Sequence, residues 1–438
     1  MTSPNNTATI YKLGKVNNMC GYYYSYNISI DSESLDSIRR RGPDAFNQLT
    51  VKNEQFGHAL LNTRGKSTPQ PIQNSQGTLV YNGSTYNSDG NDTQWIVDNL
   101  DEKLETTIEL IKNLIGEYSL TYVTDSHIVF AVDQWSSKNL FFYYDQSTKT
   151  FLVASTIDFL LHHAPNAVRV QENKIYIIDK NTFKLDIIET TQWNLDQTVN
   201  NYDRVFETFE QAVKDRHEPG ITTYMLSAGI DAGVIVCCAK KFFNNDMYTV
   251  SKVGREDPQI LSKRLRIQKT PLIDRADDSN FISTTDEMFK RYNFYNLRGP
   301  NPQALTAILQ NHFLPRKQRI CISGIGGDEL YDDYQTDKKA WGRIGKINGG
   351  WPSDLRTIYP WHNYEETRLH HHLYRSDMIC GHHGIEGRYP LTDQRLFQKF
   401  LNTTSKLKNL GYKYWQVQYM KDHGYPITLN KTRFANTM

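Results

Sequence analysis

The chain has 438 residues, 38% of them hydrophobic, and a formal net charge of +2. That length suits two domains, and the near-neutral charge gives no reason to expect nucleic acid as a partner. Five cysteines, two of them adjacent at Cys237 and Cys238, argue against a disulfide framework and for a reducing compartment, expected to be cytoplasmic; no apolar run approaches a membrane span.

Residues 1–19 read as a leader or extension. They are polar and lack the apolar stretch of a secretory signal. From Cys20 to about Asp186, short β-rich runs alternate with turn residues, as at 78–81, 119–123, 127–132 and 151–155. Helices are expected at 33–40 and 104–115. Met19-Cys20-Gly21 opens this region. A lone cysteine is often just a small buried hydrophobe. One that becomes a chain terminus can use its own α-amine as a base.

The pattern turns helical after Val199. Apolar residues recur about every 3.6 positions over 202–215. The boundary is placed after Trp193, giving domains at 20–195 and 196–438. Tyr224-Met225-Leu226-Ser227-Ala228-Gly229-Ile230-Asp231 then breaks an apolar run into a small-residue turn, and an apolar segment follows. This reads as strand, tight loop and helix. Such a loop lets backbone N–H groups close on an oxyanion at a helix N-terminus, and Asp231 can hold Mg²⁺ against it. Ile320-Cys321-Ile322-Ser323-Gly324-Ile325-Gly326-Gly327-Asp328 repeats the pattern. In a parallel sheet, loops at the carboxyl ends of neighbouring strands face one crevice. Asp231 and Asp328 would then share a phosphate site. The last expected helix covers 412–421.

Seven marks in order resemble the glutamine-dependent asparagine synthetase family. They are Cys20-Gly21; Arg41-Gly42-Pro43-Asp44; Asn82-Gly83 with Tyr86-Asn87; Gly90-Asn91-Asp92; the Ser227 loop; the Ser323 loop; and Glu386-Gly387-Arg388-Tyr389-Pro390-Leu391-Thr392-Asp393. The resemblance implies an α+β class II glutaminase domain of two stacked antiparallel sheets, then an α/β parallel-sheet ATP-pyrophosphatase domain. It implies Cys20 as nucleophile, with the Asn82 side chain and Gly83 N–H as oxyanion donors. Asp92 would hold the ammonium of glutamine. The family's glutamine-gripping arginine is replaced by Leu60, leaving Arg64 or Arg41 for that task, and Ser84 stands where the family has glutamate.

In the second domain the resemblance implies ATP and Mg²⁺. Leu226, Ser227, Gly229, Asp231, Ser323, Gly324 and Lys413 would take ATP or pyrophosphate, with Asp231 and Asp328 on the metal. Two serines of the family's first loop are here Ala232 and Gly233, and a glutamate is Ile325. The implied reaction passes glutamine-derived ammonia across the domains to an adenylated carboxylate, by default aspartate. No nucleic acid or membrane partner is implied, and a homodimer is left open. Two other readings stay open: the same chemistry on another carboxylate, and a non-catalytic binding or assembly protein. His370-His371-His372 and His382-His383 are read as solvent-facing or inter-helix hydrogen-bonding groups, because successive side chains on a helix diverge.

Overall fold

Tyrosines crowd Gly21-Tyr22-Tyr23-Tyr24-Ser25-Tyr26, and successive residues of a strand face opposite sides. The computed structural model describes residues 9–11, 20–243, 248–251, 257–268, 273–274, 305–306, 309–331, 350–360 and 368–428. Met19 and the rest of the expected leader, apart from 9–11, lie outside these. Among the described residues there are two compact units. The first holds the stretch up to Gln192 together with Ser376–Glu386, and the second holds the remainder.

The first unit contains β1 (Thr9–Tyr11), β2 (Gly21–Tyr26), β3 (Ala45–Val51), β4 (Glu54–Leu60), β5 (Ile72–Gln73), β6 (Thr78–Thr85) and β7 (Gly116–Val123). It continues with β8 (His127–Val132), β9 (Phe141–Asp145), β10 (Thr150–Ala154), β11 (Val168–Arg169), β12 (Lys174–Asp179) and β13 (Leu185–Glu189). One sheet runs β1-β3-β4-β2-β10-β9-β11 and the other β13-β12-β8-β7-β6-β5. Every pairing in them is antiparallel. The four strand runs read from sequence lie within or across β6, β7, β8 and β10.

Period-two patterning builds the layers. Tyr22, Tyr24, Phe56, Val80, Phe130 and Phe151 share the core between the sheets. Leu79, Tyr81, Tyr118 and Leu120 face the opposite side, where Ile96 and Val97 of α2 (Asp92–Asn99) and Ile111 of α3 (Leu104–Lys112) cover them. On the other sheet, α1 (Leu35–Arg39) packs on β2 and β4, and α4 (Ile157–His163) on β9 and β10. Tyr23 stacks on Phe159 at 5.0 Å between ring centroids. The unit is therefore an α+β stack of helices, sheet, sheet and helices, as expected. The helix foreseen over 104–115 stops at Lys112, because Gly116, at φ 155°, opens β7 three residues after its cap.

Ser376–Glu386 joins this unit through buried polar contacts. Asp377 receives hydrogen bonds from Arg41 at 3.3 Å and Asn139 at 3.0 Å. Glu386 receives them from Thr63 and Ser84, both at 2.8 Å.

In the second unit, β14 (Thr222–Leu226) pairs in parallel with β15 (Tyr248–Ser251) on one side and β17 (Ile320–Ile322) on the other. The sheet order is β16-β15-β14-β17-β18, with β16 at Ile273–Asp274 and β18 at Glu386–Arg388. Strand order reverses at β14, so the crevice beyond the ends of β14 and β17 is a switch point. The helices are α5 (Asp203–Asp215), α6 (Ile230–Phe242), α7 (Pro258–Gln268), α8 (Gly327–Tyr331), α9 (Arg368–His382, whose residues from Ser376 on belong to the first unit), α10 (Gln394–Leu401), α11 (Ser405–Lys408) and α12 (Tyr414–Asp422). Phe209 of α5 meets Trp415 and Tyr419 of α12 edge-on, each at 5.3 Å. Asp393 caps α10 and binds Arg216 at 2.9 Å and Arg395 at 2.7 Å, all within the core or its edge.

Candidate functional site

Cys20 sits at the start of β2, only 8% exposed. Its thiol donates to the Leu61 carbonyl at 3.3 Å and accepts from the Leu61 N–H at 3.0 Å. Burial pushes the thiol up to about 12; the Leu61 backbone opposes this, and the Glu386 and Asp92 charges add to it. A thiol so placed is neutral at physiological pH and needs a base to become a nucleophile.

The cavity beside Cys20 is lined by Leu61, Thr63, Arg64, Tyr81, Gly83, Ser84 and Asp92, among others. Gly83 holds φ 128°, and a Cβ there would lie 2.0 Å from the Glu117 carbonyl oxygen, so only glycine fits. Next to it, Asn82 is 1% exposed, and neither side-chain atom of its amide has a hydrogen-bond partner. An orphaned buried amide costs about 1–3 kcal/mol, so it calls for an explanation, and a bound ligand is one. Asp92, by contrast, is satisfied: it accepts from Tyr81 Oη at 3.2 Å, Thr85 N at 3.1 Å and Thr93 N at 2.7 Å. Burial raises its carboxyl above the usual range, and the Thr85 bond opposes that rise.

The two arginines proposed to replace the family's carboxylate-gripping residue occupy different places. Arg64 lines the cavity and donates to the Thr85 and Ser88 carbonyls, with its guanidinium over the Tyr86 ring. Arg41 donates to the Cys20 carbonyl at 2.9 Å and pairs with Asp377, so it fixes the Cys20 backbone. Glu386 was read from sequence only as part of a motif. Its carboxylate is tied to two cavity-lining hydroxyls, those of Thr63 and Ser84, and Ser84 is the position where the family's glutamate is missing.

In the second unit the loops after β14 and β17 converge. Lys413 Nζ lies 2.6 Å from Asp231 and 2.6 Å from Asp328. Burial alone would lower the lysine, but the two carboxylates outweigh it and raise it well above its ordinary value. Burial raises Asp231, and Lys413 opposes it. Lys413 holds φ 46°, which is why the helix foreseen over 412–421 begins at Tyr414. This left-handed backbone is uncommon outside glycine. Tyr412, missed in the sequence, donates to Asp328 at 3.0 Å.

The glycines of the second loop are steric requirements. A Cβ on Gly327 would lie 2.1 Å from Asp231 Oδ1, and one on Gly324 2.8 Å from Asp231 Cβ. Ser227 Oγ accepts from Gly229 N at 3.1 Å, closing the first loop. Ser323 Oγ is buried without a partner. Leu226 ends β14 in the core. Arg264 of α7, fully buried, donates to the Ser227 and Gly229 carbonyls at 2.5 and 2.7 Å. It holds the loop's carbonyls in place. It also explains Gly233: a Cβ there would lie 2.5 Å from the guanidinium. No sequence motif flagged Arg264. Glu329 accepts from Gly326 N at 3.1 Å, bracing its own loop, and Ile325 is half-buried in that turn. His372 faces Glu329 at 3.7 Å, while His382 and His383 are rings in edge contact, pushed down to about 4 and 3 by burial.

Residues 19–192 match the glutamine amidotransferase domain family. The chain carries a glutamine amidotransferase domain. It is 29% identical over 185 residues to asparagine synthetase domain-containing protein 1 of Mus musculus, covering 37% of this chain and 30% of that protein. The protein of the same name in Bos taurus is 28% identical over 158 residues, 31% of this chain and 25% of that one. The matched part thus spans less than a third of these relatives. Among solved structures, glutamine phosphoribosylpyrophosphate amidotransferase from B. subtilis aligns at 12% identity and a TM-score of 0.33, over 63% of this chain and 79% of that one. No helix among the described residues is long and apolar enough to cross a membrane.

Proposed function

We propose that the chain is a glutamine-dependent, ATP-using amidotransferase of the asparagine synthetase type. The observation that carries this reading is the meeting of Asp231, Asp328 and Lys413 between two small-residue loops at the reversal of a parallel sheet.

In the first unit, Cys20 Sγ attacks the side-chain amide carbon of glutamine. Charge develops on the amide oxygen, and Asn82 Nδ2 and the Gly83 N–H are the donors for it. Ammonia leaves, and water hydrolyses the resulting thioester to glutamate. The proton is shuttled by the Cys20 α-amine, which requires a chain that begins at Cys20, since an amide nitrogen has no basic lone pair. Asp92 and Arg64 hold the α-ammonium and α-carboxylate ends.

The second site suits Mg²⁺ and ATP chemically: two carboxylates lie against a cradle that a Cβ at Gly327 would fill. Asp231 and Asp328 would hold the metal, which supplies positive charge to the phosphates. Ser227, Gly229, Ser323, Gly324 and Lys413 bind the phosphates. The acceptor's carboxylate oxygen attacks the α-phosphorus and pyrophosphate leaves. Ammonia then attacks the acyl carbon and AMP leaves. Aspartate is the default acceptor. Ile325 favours a second reading, the same chemistry on another carboxylate, because an isoleucine can take no proton from the attacking ammonia.

The test is pyrophosphate release from ATP and Mg²⁺ with a panel of acids, supplied with glutamine or ammonium, and product mass spectrometry. Acid-dependent pyrophosphate release is expected. Glutamine hydrolysis with no pyrophosphate from any acid would refute the synthetase half. Silence in both assays, from chains beginning at Cys20, would favour the non-catalytic reading.

A further inference from the structure

His162 and His163 close α4, on the face of the first unit that carries α1, and Asp31 lies just ahead of α1. Adjacent helical side chains ordinarily diverge, yet here both rings turn to one carboxylate. His162 Nε2 lies 2.9 Å and His163 Nε2 3.7 Å from Asp31 Oδ2. The other carboxylate oxygen is already fixed, accepting from Ser34 N at 2.9 Å. That bond aims Oδ2 at the imidazoles. The ligand atoms of all three residues lie within 4.8 Å of one another.

We infer that Asp31, His162 and His163 form a binding site for a divalent transition-metal ion of the Zn²⁺ class. Two imidazoles and a carboxylate are donors of the right softness for zinc, whereas Mg²⁺ prefers oxygen alone. Zinc bonds of ~2.0–2.2 Å in a tetrahedron separate ligand atoms by about 3.3 Å. The observed 2.9 and 3.7 Å bracket that separation, so small side-chain rotations admit the ion. His162 and Asp31 are about half exposed, at 50% and 45%, and His163 is buried at 7%. A fourth position is thus open to water. Ser34 Oγ, 2.9 Å from His163 Nε2, is the group the metal would displace.

The ion would staple the segment that leads into α1 to α4. The residues after α1 include Arg41, which holds the Cys20 carbonyl. The site therefore braces the segment that positions the nucleophile, without touching the cavity.

Co²⁺ serves as the probe, because its tetrahedral complexes absorb strongly in the visible. With the full chain, one equivalent of Co²⁺ should give a tetrahedral band that Zn²⁺ abolishes. Calorimetry should show a single matching Zn²⁺ site. His162→Gln and His163→Gln, each able to keep a hydrogen bond to Asp31 or Ser34, should each weaken Co²⁺ binding at least ~10-fold, the range seen when metal-site partners are lost. His370→Gln/His371→Gln should leave the band unchanged. A band that survives both single substitutions and their combination would overturn the proposal. So would the absence of any band at micromolar protein and metal.

Discussion

The two sites differ in which polar groups they leave unpaired, the Ser323 hydroxyl in the second and the whole Asn82 amide in the first. In the second unit the three charges that meet at the loops are paired with one another, since Lys413 touches both Asp231 and Asp328. In the first unit a key group, the Asn82 amide, has no partner. On the proposed function, the difference follows from what each site receives. A buried unpaired charge costs far more than an unpaired neutral amide. A site for an anion and a metal must therefore hold its charges in mutual compensation, whereas a site for a neutral amide can leave a donor waiting.

Replacing the nucleophile is the harshest test of this contrast. Cys20→Ala is expected to reduce glutamine hydrolysis on the order of 10⁴-fold or more. Ammonia-driven pyrophosphate release should continue, because in the proposed reaction the second site needs only ammonia. Loss of both activities would mean the two sites cannot be treated separately.

Asn82→Ala probes the orphaned amide itself. Glutamine turnover should drop ~10²–10³-fold, the usual effect of losing an oxyanion donor. The melting temperature should hardly move, since no internal hydrogen bond is broken. A large drop in melting temperature with little change in turnover would make Asn82 structural.

The carboxylates come next. Asp231→Asn or Asp328→Asn should lower pyrophosphate release by at least ~10²-fold while glutamine hydrolysis persists. Either variant still leaves Lys413 one partner. Lys413→Met instead leaves two carboxylates facing each other and should be the less stable protein. Thermal melts of the three variants check that ranking.

Acid titration sharpens the view of the second unit as one built on pairing. Burial would raise Asp393, but Arg216 and Arg395 hold it down at about 2, below its ordinary 3.8. A depressed carboxyl contributes stability that is present above 3.8 and lost as pH falls toward 2. The loss should be about 2 kcal/mol. Asp393→Asn should be less stable at neutral pH and show a flatter profile between pH 4 and 2, read by denaturant unfolding.

The smallest effect concerns Gly233. Gly233→Ser restores the family's residue but drives a side chain into the Arg264 guanidinium, and should cost ~1–3 kcal/mol. Unchanged stability would show that Arg264 yields easily and that the glycine has another cause.

Sequence by itself determined much of both sites, because their logic is local. Short β-rich runs between turn residues marked β6, β7, β8 and β10, and small-residue loops after apolar runs marked Ser227 and Ser323. Asp231 and Asp328 were assigned to one crevice because parallel strands with such loops leave few alternatives. Tertiary structure alone decided which distant residues complete each site. Arg264 lies 37 positions from Ser227, and Glu386 302 from Ser84. Arg264 carries no local signal, and the motif that holds Glu386 does not say which residues it meets, since burial alone supplies its partners. The same holds for Arg41 and Arg64, equal candidates in sequence, which folding sent to a backbone carbonyl and to the cavity wall. It holds too for His162 and His163: a helix ending beside Asp31 brought together side chains that helical geometry alone would set apart.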